Sequence, residues 1–273
     1  MVFVKVMLRR FILVVQFICL TLFALGQKKE ISNAIKERIK QVEGNVPQGD
    51  YEIAGAPKQT ILDRMKFHGV KGVSIAVINN YEVEWAKGYG WADSSEQRPV
   101  TPETFFLIGS ISKSLNAMGI LKLAQDNKID IHADINNYLT SWKFPYDSIS
   151  KGKKITMAQL LSHSAGLTTS GGSDYQRGDT IPTIYDILDG KRPANSPAVR
   201  SEYEPGTKFQ YSNNGSSIAM LTAMDITKKT YEDYIKETVL KPLGMNNTFF
   251  ADIPPGNLKQ KFATGYNEDG TQL

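Results

Sequence analysis

The sequence predicts an α+β fold in which a short antiparallel sheet opens a chain that is otherwise mostly helical. Three observations carry this expectation. Val73-Ser-Ile-Ala-Val-Ile78 is a small-residue and β-branched run; after Asn79-Asn80 the segment Glu82 to Gly88 completes the pattern of a hairpin. From Ile111 onward apolar residues recur at helical spacing. Ile111, Leu115, Met118, Leu121 and Ala124 mark one face, Met157, Leu160 and Leu161 a second, and Ile218, Leu221, Thr222 and Ile226 a third. No strong strand follows Phe250, where the chain offers a Pro-Pro-Gly loop and Phe262-Ala-Thr-Gly-Tyr266.

Ahead of the hairpin, Ile31, Ile35, Ile39 and Val42 predict one helix, and Thr60 to Phe67 predicts a second that ends near Gly69. A polar loop from Asp93 to Thr104 follows the hairpin. Asp225 to Lys241 sets Tyr231, Tyr234 and Val239 among charges and reads as a surface helix without assigned function. Two strands alone are marginal in water, so the chain as read stops before its sheet is complete.

With 273 residues, 41% apolar and 22% charged, the chain can bury a substantial core as one large domain or two small ones, which excludes global disorder. The formal charge of +4 suggests a polyanion partner only until its distribution is read. Lys5, Arg9 and Arg10 lie before residue 27, the remaining cations nearly balance the acids, and apart from short runs such as Lys151, Lys153 and Lys154 they are dispersed. No nucleic-acid partner is expected. Residues 1–26 join a basic start, the apolar run Phe11 to Leu25 and a small-x-small end at Ala24-Leu-Gly26, the signature of a signal peptide cleaved after Gly26. Its apolar run is shorter than the roughly 20 residues a membrane span needs. The mature protein is therefore expected to be periplasmic or secreted, without membrane attachment. Cys19 lies within that segment, which removes disulfides, thiol catalysis and Cys-ligated zinc from the mature chain. His68, His132 and His163 have no metal-ligand spacing, so no metal is expected, and the serine chemistry described next needs no organic cofactor.

Phe105-Phe-Leu-Ile-Gly109 leads into Ser110-Ile-Ser-Lys113 and then into a helix. Residues three apart share a helix face, which would put a hydroxyl and an amine one turn apart beside unpaired backbone N–H groups able to hold an oxyanion. That arrangement suits acyl transfer, although Ser110 read without chemistry is a helix-capping serine. The same tetrapeptide recurs at Ser148-Ile-Ser-Lys151, between Pro145 and Gly152, with no strand before it and no helix on it. The serine needs a base, and Lys113 and a tyrosine are the natural candidates. Either one alone is unfavourable as a base at pH 7 by about 4 kcal/mol, from its unperturbed pKa near 10. An ammonium beside a phenol lessens that cost. Of twelve tyrosines, Tyr211 stands out, because it lies between the turn Glu204-Pro-Gly-Thr207 and a helix starting near Asn214; the plain alternative is a half-buried loop aromatic.

Ser110-Ile-Ser-Lys113, Leu160-Leu-Ser-His-Ser-Ala-Gly-Leu167, Glu204-Pro-Gly-Thr207, Tyr211-Ser-Asn213 and Pro242-Leu-Gly-Met-Asn-Asn-Thr248, in this order, resemble the serine β-lactamase and penicillin-binding-protein superfamily. The branch resembled holds class C β-lactamases, D-alanyl-D-alanine carboxypeptidases and related esterases, over about residues 60 to 266. The resemblance implies a β-lactamase/transpeptidase-like fold and an exported serine hydrolase acting through an acyl-enzyme. Its substrate would be a small molecule or peptide: a β-lactam, a D-amino-acid peptide or an ester. It also implies that Ser110 is the acylated nucleophile, Lys113 its proton-transfer partner, Tyr211 the second acid/base and Asn213 a substrate amide contact. His163 matches a recurring family histidine read as structural, in a motif expected to close a helix on Gly166. The chain departs from the pattern in one respect. A third motif, Lys-Thr-Gly or His-x-Gly, is absent after Asn213, so residues 27–273 are expected to be a family domain truncated before that motif and its last strands. Without that wall one oxyanion donor goes, at a typical loss of about 10²–10³ in turnover. A non-catalytic penicillin-recognising module and an inactive fragment are the alternatives. The loop Thr168 to Pro197, with Gly171-Gly-Ser-Asp174, is expected to be a mobile rim that tunes selectivity.

Overall fold

The computed structural model describes residues 32–47, 49, 54–168, 175, 178–251, 256–267 and 269–273. Residues 1–26, expected from the sequence to be a signal peptide, and also Ile31, Gly171-Gly-Ser-Asp174 and Pro254-Pro255 lie outside the described residues. The chain divides into two compact units. One runs to Thr104 and includes Ala263–Gln272; the other spans Phe105–Phe262.

In the first unit, α1 (Asn33–Glu43) starts at Ser32, whose hydroxyl accepts from the Ile35 N–H. Helix α2 (Ile61–Phe67) starts at a reciprocal capping box between Thr60 and Asp63. Strands β1 (Gly72–Asn79) and β2 (Glu82–Asp93) pair antiparallel with Gly72 opposite Gly90, and the register shifts between Val77 and Ile78. Asn80 and Tyr81 both have positive φ, 51° and 64°, the two-residue loop whose twist matches a hairpin. The turn thus falls one residue later than Asn79-Asn80 suggested, and β2 runs beyond Gly88. A short β3 (Arg98–Pro99) pairs with the end of β2, giving the order β1-β2-β3. Arg38 and Glu43 of α1 reach Glu84 and Lys87 of β2 as ion pairs, and Tyr89 donates to Glu43 at 3.0 Å. Ile61 and Met65 of α2 pack on Tyr89. Asp93 closes β2 by accepting from the Ser95 and Glu96 N–H groups and from the Thr264 hydroxyl, while the Thr264 N–H donates to the Ala92 carbonyl. The Ser95 hydroxyl, then that of Thr264, holds the Asp93 carboxyl well below the usual range. Among the described residues no strand follows β3.

The second unit is helical: α3 (Ser112–Gln125), α4 (Met157–Leu161), α5 (Ile184–Asp189), α6 (Asn213–Thr227) and α7 (Tyr231–Ile235), the last continued by a π turn Lys236–Leu240. Helix α6 is central and packs against α3, α4, α5 and α7. Its Ile218, Ala219, Leu221, Thr222 and Ala223 are fully buried, wider than the single face its spacing suggested. Asp225 caps a neighbouring turn by accepting from the Thr140 and Ser141 N–H groups at 2.7 and 3.0 Å. Burial raises its carboxyl, but these bonds outweigh burial and keep it below the ordinary value.

The stretch 225–241 is not a surface helix. Tyr231, Tyr234, Ile235, Val239 and Leu240 are buried in the core that includes Leu115, Ile120 and Leu123 of α3. Charges between them disguised that face. The Tyr231 hydroxyl donates to Asn116 Oδ1 at 2.6 Å and that of Tyr234 to the Gly119 carbonyl at 2.6 Å. Gly119 permits this approach, since a Cβ there would stand 2.7 Å from Ile235 Cδ1.

Asn116 and Tyr231 are both buried, so removing the phenol leaves the amide oxygen unpaired. Tyr231→Phe is expected to lower unfolding stability by about 1–3 kcal/mol in urea denaturation. A change below a few tenths of a kcal/mol would show that water replaces the lost donor.

Candidate active site

Phe105 anchors the approach to Ser110. Its ring packs at 5.5 Å from that of Phe249 and 5.3 Å from that of Phe262, and its N–H donates to the Lys261 carbonyl at 2.8 Å. Gly109, at φ 52°, then turns the chain into a 3₁₀ turn, Gly109–Ile111, before α3 begins at Ser112. Ser110 therefore stands in the turn that opens the helix rather than on the helix itself. The spacing still holds one turn on, and Lys113 Nζ donates to Ser110 Oγ at 3.0 Å.

Tyr211 comes from a segment 101 residues away, and its hydroxyl shares a hydrogen bond with Ser110 Oγ at 2.6 Å. That segment is bound along its length by residues 163–168. Leu167 bridges Ser201, the Thr168 N–H donates to the Arg200 carbonyl at 3.0 Å, and the Gly166 carbonyl accepts from Glu202 and Tyr203 at 2.7 and 3.1 Å. At the other end the His163 carbonyl accepts from the Gln210 N–H at 2.7 Å. The Thr168 carbonyl takes both the Ser212 hydroxyl, at 3.0 Å, and Asn214 Nδ2, at 3.1 Å. Gly166 is not a helix cap, because α4 ends at Leu161 with Ser162 as its C-cap. Glycine is required there for another reason: its φ is 70° and a Cβ would lie 2.3 Å from the Tyr203 carbonyl oxygen.

The structure thus brings Ser110, Lys113 and Tyr211 together. Lys113 Nζ lies 4.9 Å from the Tyr211 ring centroid, and the His163 ring packs on Tyr211 at 4.5 Å with planes 35° apart. Lys113 first, then the Ser110 bond, holds the Tyr211 phenol below its ordinary pKa. Burial first, then Lys113, lowers His163. Asn213 is exposed on the first turn of α6, two residues beyond Tyr211. The second Ser-Ile-Ser-Lys copy has a different setting. Ser148–Ser150 is a 3₁₀ turn, and Lys151 ends it in the left-handed region with its amine 3.1 Å from Glu204. Thr168, Ser212 and Asn214 escaped sequence reading. The available signal was polar residues flanking Tyr211 and Asn213, of which Ser212 and Asn214 are buried. A hydroxyl between an amine and a lowered phenol can give up its proton locally and attack an electrophilic carbon.

Protein flp of Staphylococcus aureus strain N315 is 30% identical over 209 residues, 77% of this chain and 40% of that protein. Putative penicillin-binding protein PbpX of Bacillus subtilis strain 168 is 28% identical over 246 residues, 90% of this chain and 54% of that protein. The chain thus spans about two-fifths to one half of the curated relatives it matches. Among solved structures, the octameric penicillin-binding protein homologue from Pyrococcus abyssi superimposes with a TM-score of 0.62 at 26% identity, covering 78% of this chain and 48% of that one. D-amino acid amidase from Ochrobactrum anthropi SV3 gives 0.60 at 27% identity, covering 76% and 54%. The Beta-lactamase family model matches residues 58–272, and with the fold and these likenesses it follows that the chain belongs to that family.

Proposed function

We propose that the protein is an exported serine hydrolase that acylates Ser110, with Lys113 and Tyr211 moving the proton and Asn213 contacting the substrate amide. The observation that carries this reading is the placement of Ser110 Oγ 3.0 Å from Lys113 Nζ and 2.6 Å from the Tyr211 hydroxyl. Tyr211, as the phenolate that the Lys113 ammonium favours, takes the Ser110 proton as Oγ attacks the carbonyl carbon. The Oγ–C bond forms, and the carbonyl electron pair moves to oxygen beside the N–H groups that open α3. Collapse expels the amine or alkoxide, which receives the proton from Tyr211. Water then repeats the sequence on the acyl-enzyme and frees Ser110. The substrate class is a carboxylic amide or ester, including β-lactams and D-amino-acid amides; the amidase likeness supports the latter. The composition of residues 1–26 supports a periplasmic or secreted location.

Incubating the chain with a penicillin or an activated ester is expected to add one acyl mass at Ser110, as read by peptide mass spectrometry, and Ser110→Ala should abolish it. No adduct on a folded chain rejects the mechanism. A mass that persists for hours without release indicates recognition without turnover.

Tyr211→Phe should slow acylation by about 10²–10⁴. With the phenol lowered, the wild-type rate rises with pH and levels off below the ordinary tyrosine value of about 10. Lys113→Gln should move that plateau upward. A plateau that stays in place would show that Lys113 does not set the phenol.

A further inference from the structure

His163 is the residue of this site that the proton transfers above do not use, and it touches four consecutive residues of the segment that delivers Tyr211. Its ring meets that of Phe209 edge-on at 5.9 Å, its carbonyl accepts from the Gln210 N–H at 2.7 Å, its ring packs on Tyr211 at 4.5 Å, and its Nδ1 accepts from the Ser212 N–H at 3.3 Å. The residue holds φ at 56°, in the left-handed region that histidine, asparagine and aspartate adopt more readily than other non-glycine residues. A ring that accepts at Nδ1 from a backbone N–H must leave that nitrogen unprotonated.

We propose that His163 is the positioning residue for Tyr211, and that it holds the phenol on Ser110 only as the neutral imidazole. The inference rests on the acyl-transfer reading above. Protonation puts a hydrogen on Nδ1, which turns the acceptor for the Ser212 N–H into a competing donor. It also places a second cation beside Lys113. Both effects loosen the backbone on the C-terminal side of Tyr211. The groups facing the ring are the Lys113 ammonium from α3 and the Tyr211 phenol. The carboxylates of the same loop are held elsewhere: Glu202 accepts from Gln210 Nε2, and Glu204 from Lys151 and Lys153. Burial and Lys113 both favour the neutral ring, so the site is poised at neutral pH and disengages on the acid side of the ordinary histidine value of about 6.5.

The test uses the full chain labelled with ¹³Cζ-tyrosine, the Tyr211 signal being identified by its loss in Tyr211→Phe. In wild type that signal should shift with a midpoint below about pH 6.5, and log acylation rate against pH should gain one unit of slope below the same midpoint, tenfold per pH unit. Asparagine tolerates the left-handed backbone and offers Oδ1 near the place of Nδ1, but does not titrate. His163→Asn should therefore keep acylation within about tenfold of wild type at pH 7, while losing both the midpoint and the extra slope. A midpoint that survives in His163→Asn, or a wild-type Tyr211 signal flat from pH 4 to 7, overturns the proposal. If the midpoint appears and vanishes as expected while Ser110 is never acylated, the coupling of His163 to Tyr211 stands and the hydrolase reading fails.

Discussion

The site depends on one contact that no local rule supplies. Ser110 and Lys113 meet because residues three apart share a helical turn. The 2.6 Å contact between Ser110 and Tyr211 joins segments 101 residues apart and survives only while the start of α3 and the start of α6 keep a fixed relation. A hydroxyl displaced by about one ångström leaves hydrogen-bond range, and misplacement on that scale can cost about a hundredfold in rate. The packing of α3, α6 and α7 is therefore a condition on the chemistry as well as on stability. Gly119 lets Tyr234 and Ile235 close on α3, and the Tyr231 bond to Asn116 sets the same helix from its buried side.

The second fixed point is polar. Residues 163–168 and 200–214 form no regular sheet beyond the Leu167 and Ser201 bridge, yet their backbone groups pair repeatedly across the gap. Buried or half-buried backbone groups that lack a partner cost about 1–3 kcal/mol each, so this matched set strongly favours one loop conformation. Thr168 does most at the Tyr211 end, because one carbonyl holds both Ser212 and Asn214. The residue between them, Asn213, is left exposed on the first turn of α6. A loop fixed from both sides of its exposed residues suits the display of a reactive phenol better than a flexible one, since its ordering cost is met in folding rather than in binding substrate.

The hairpin, the opening of α3 and the start of α6 were legible because each rests on local rules: β-branched alternation, a helical apolar repeat and a turn before a helix. The convergence of Ser110, Lys113 and Tyr211 was legible only as a demand of the chemistry, a serine needing a base, together with ordered motifs. What escaped has a common physical cause. Tyr231, Tyr234 and Val239 lie among Glu232, Asp233, Lys236 and Glu237, so their burial against α3 is invisible to composition. Gly166 reads as a helix stop, but it answers to the Tyr203 carbonyl, which is distant in sequence. The displacement of Ser110 into a 3₁₀ turn follows from the positive φ of Gly109, which spacing does not reveal. In the first two cases a tertiary contact overrode a correct local rule; at Gly109 the backbone conformation did.

Lys113 is the first influence on Tyr211 and, after burial, the second on His163. Lys113 acts on two titratable neighbours, and the sign of its effect is the same for both: it favours the phenolate of Tyr211 and the neutral ring of His163. Those are the protonation states in which a phenol can accept a proton and an imidazole can accept a backbone N–H. A neutral residue at position 113 would raise both neighbours toward their ordinary values and weaken the acid/base group and its support together. A histidine carrying charge at 163 would compete with Lys113 for the same electrostatic role while giving up its bond to Ser212. The two directions fit together: a cation on the α3 side favours both the Tyr211 phenolate and the neutral His163 ring on the loop side.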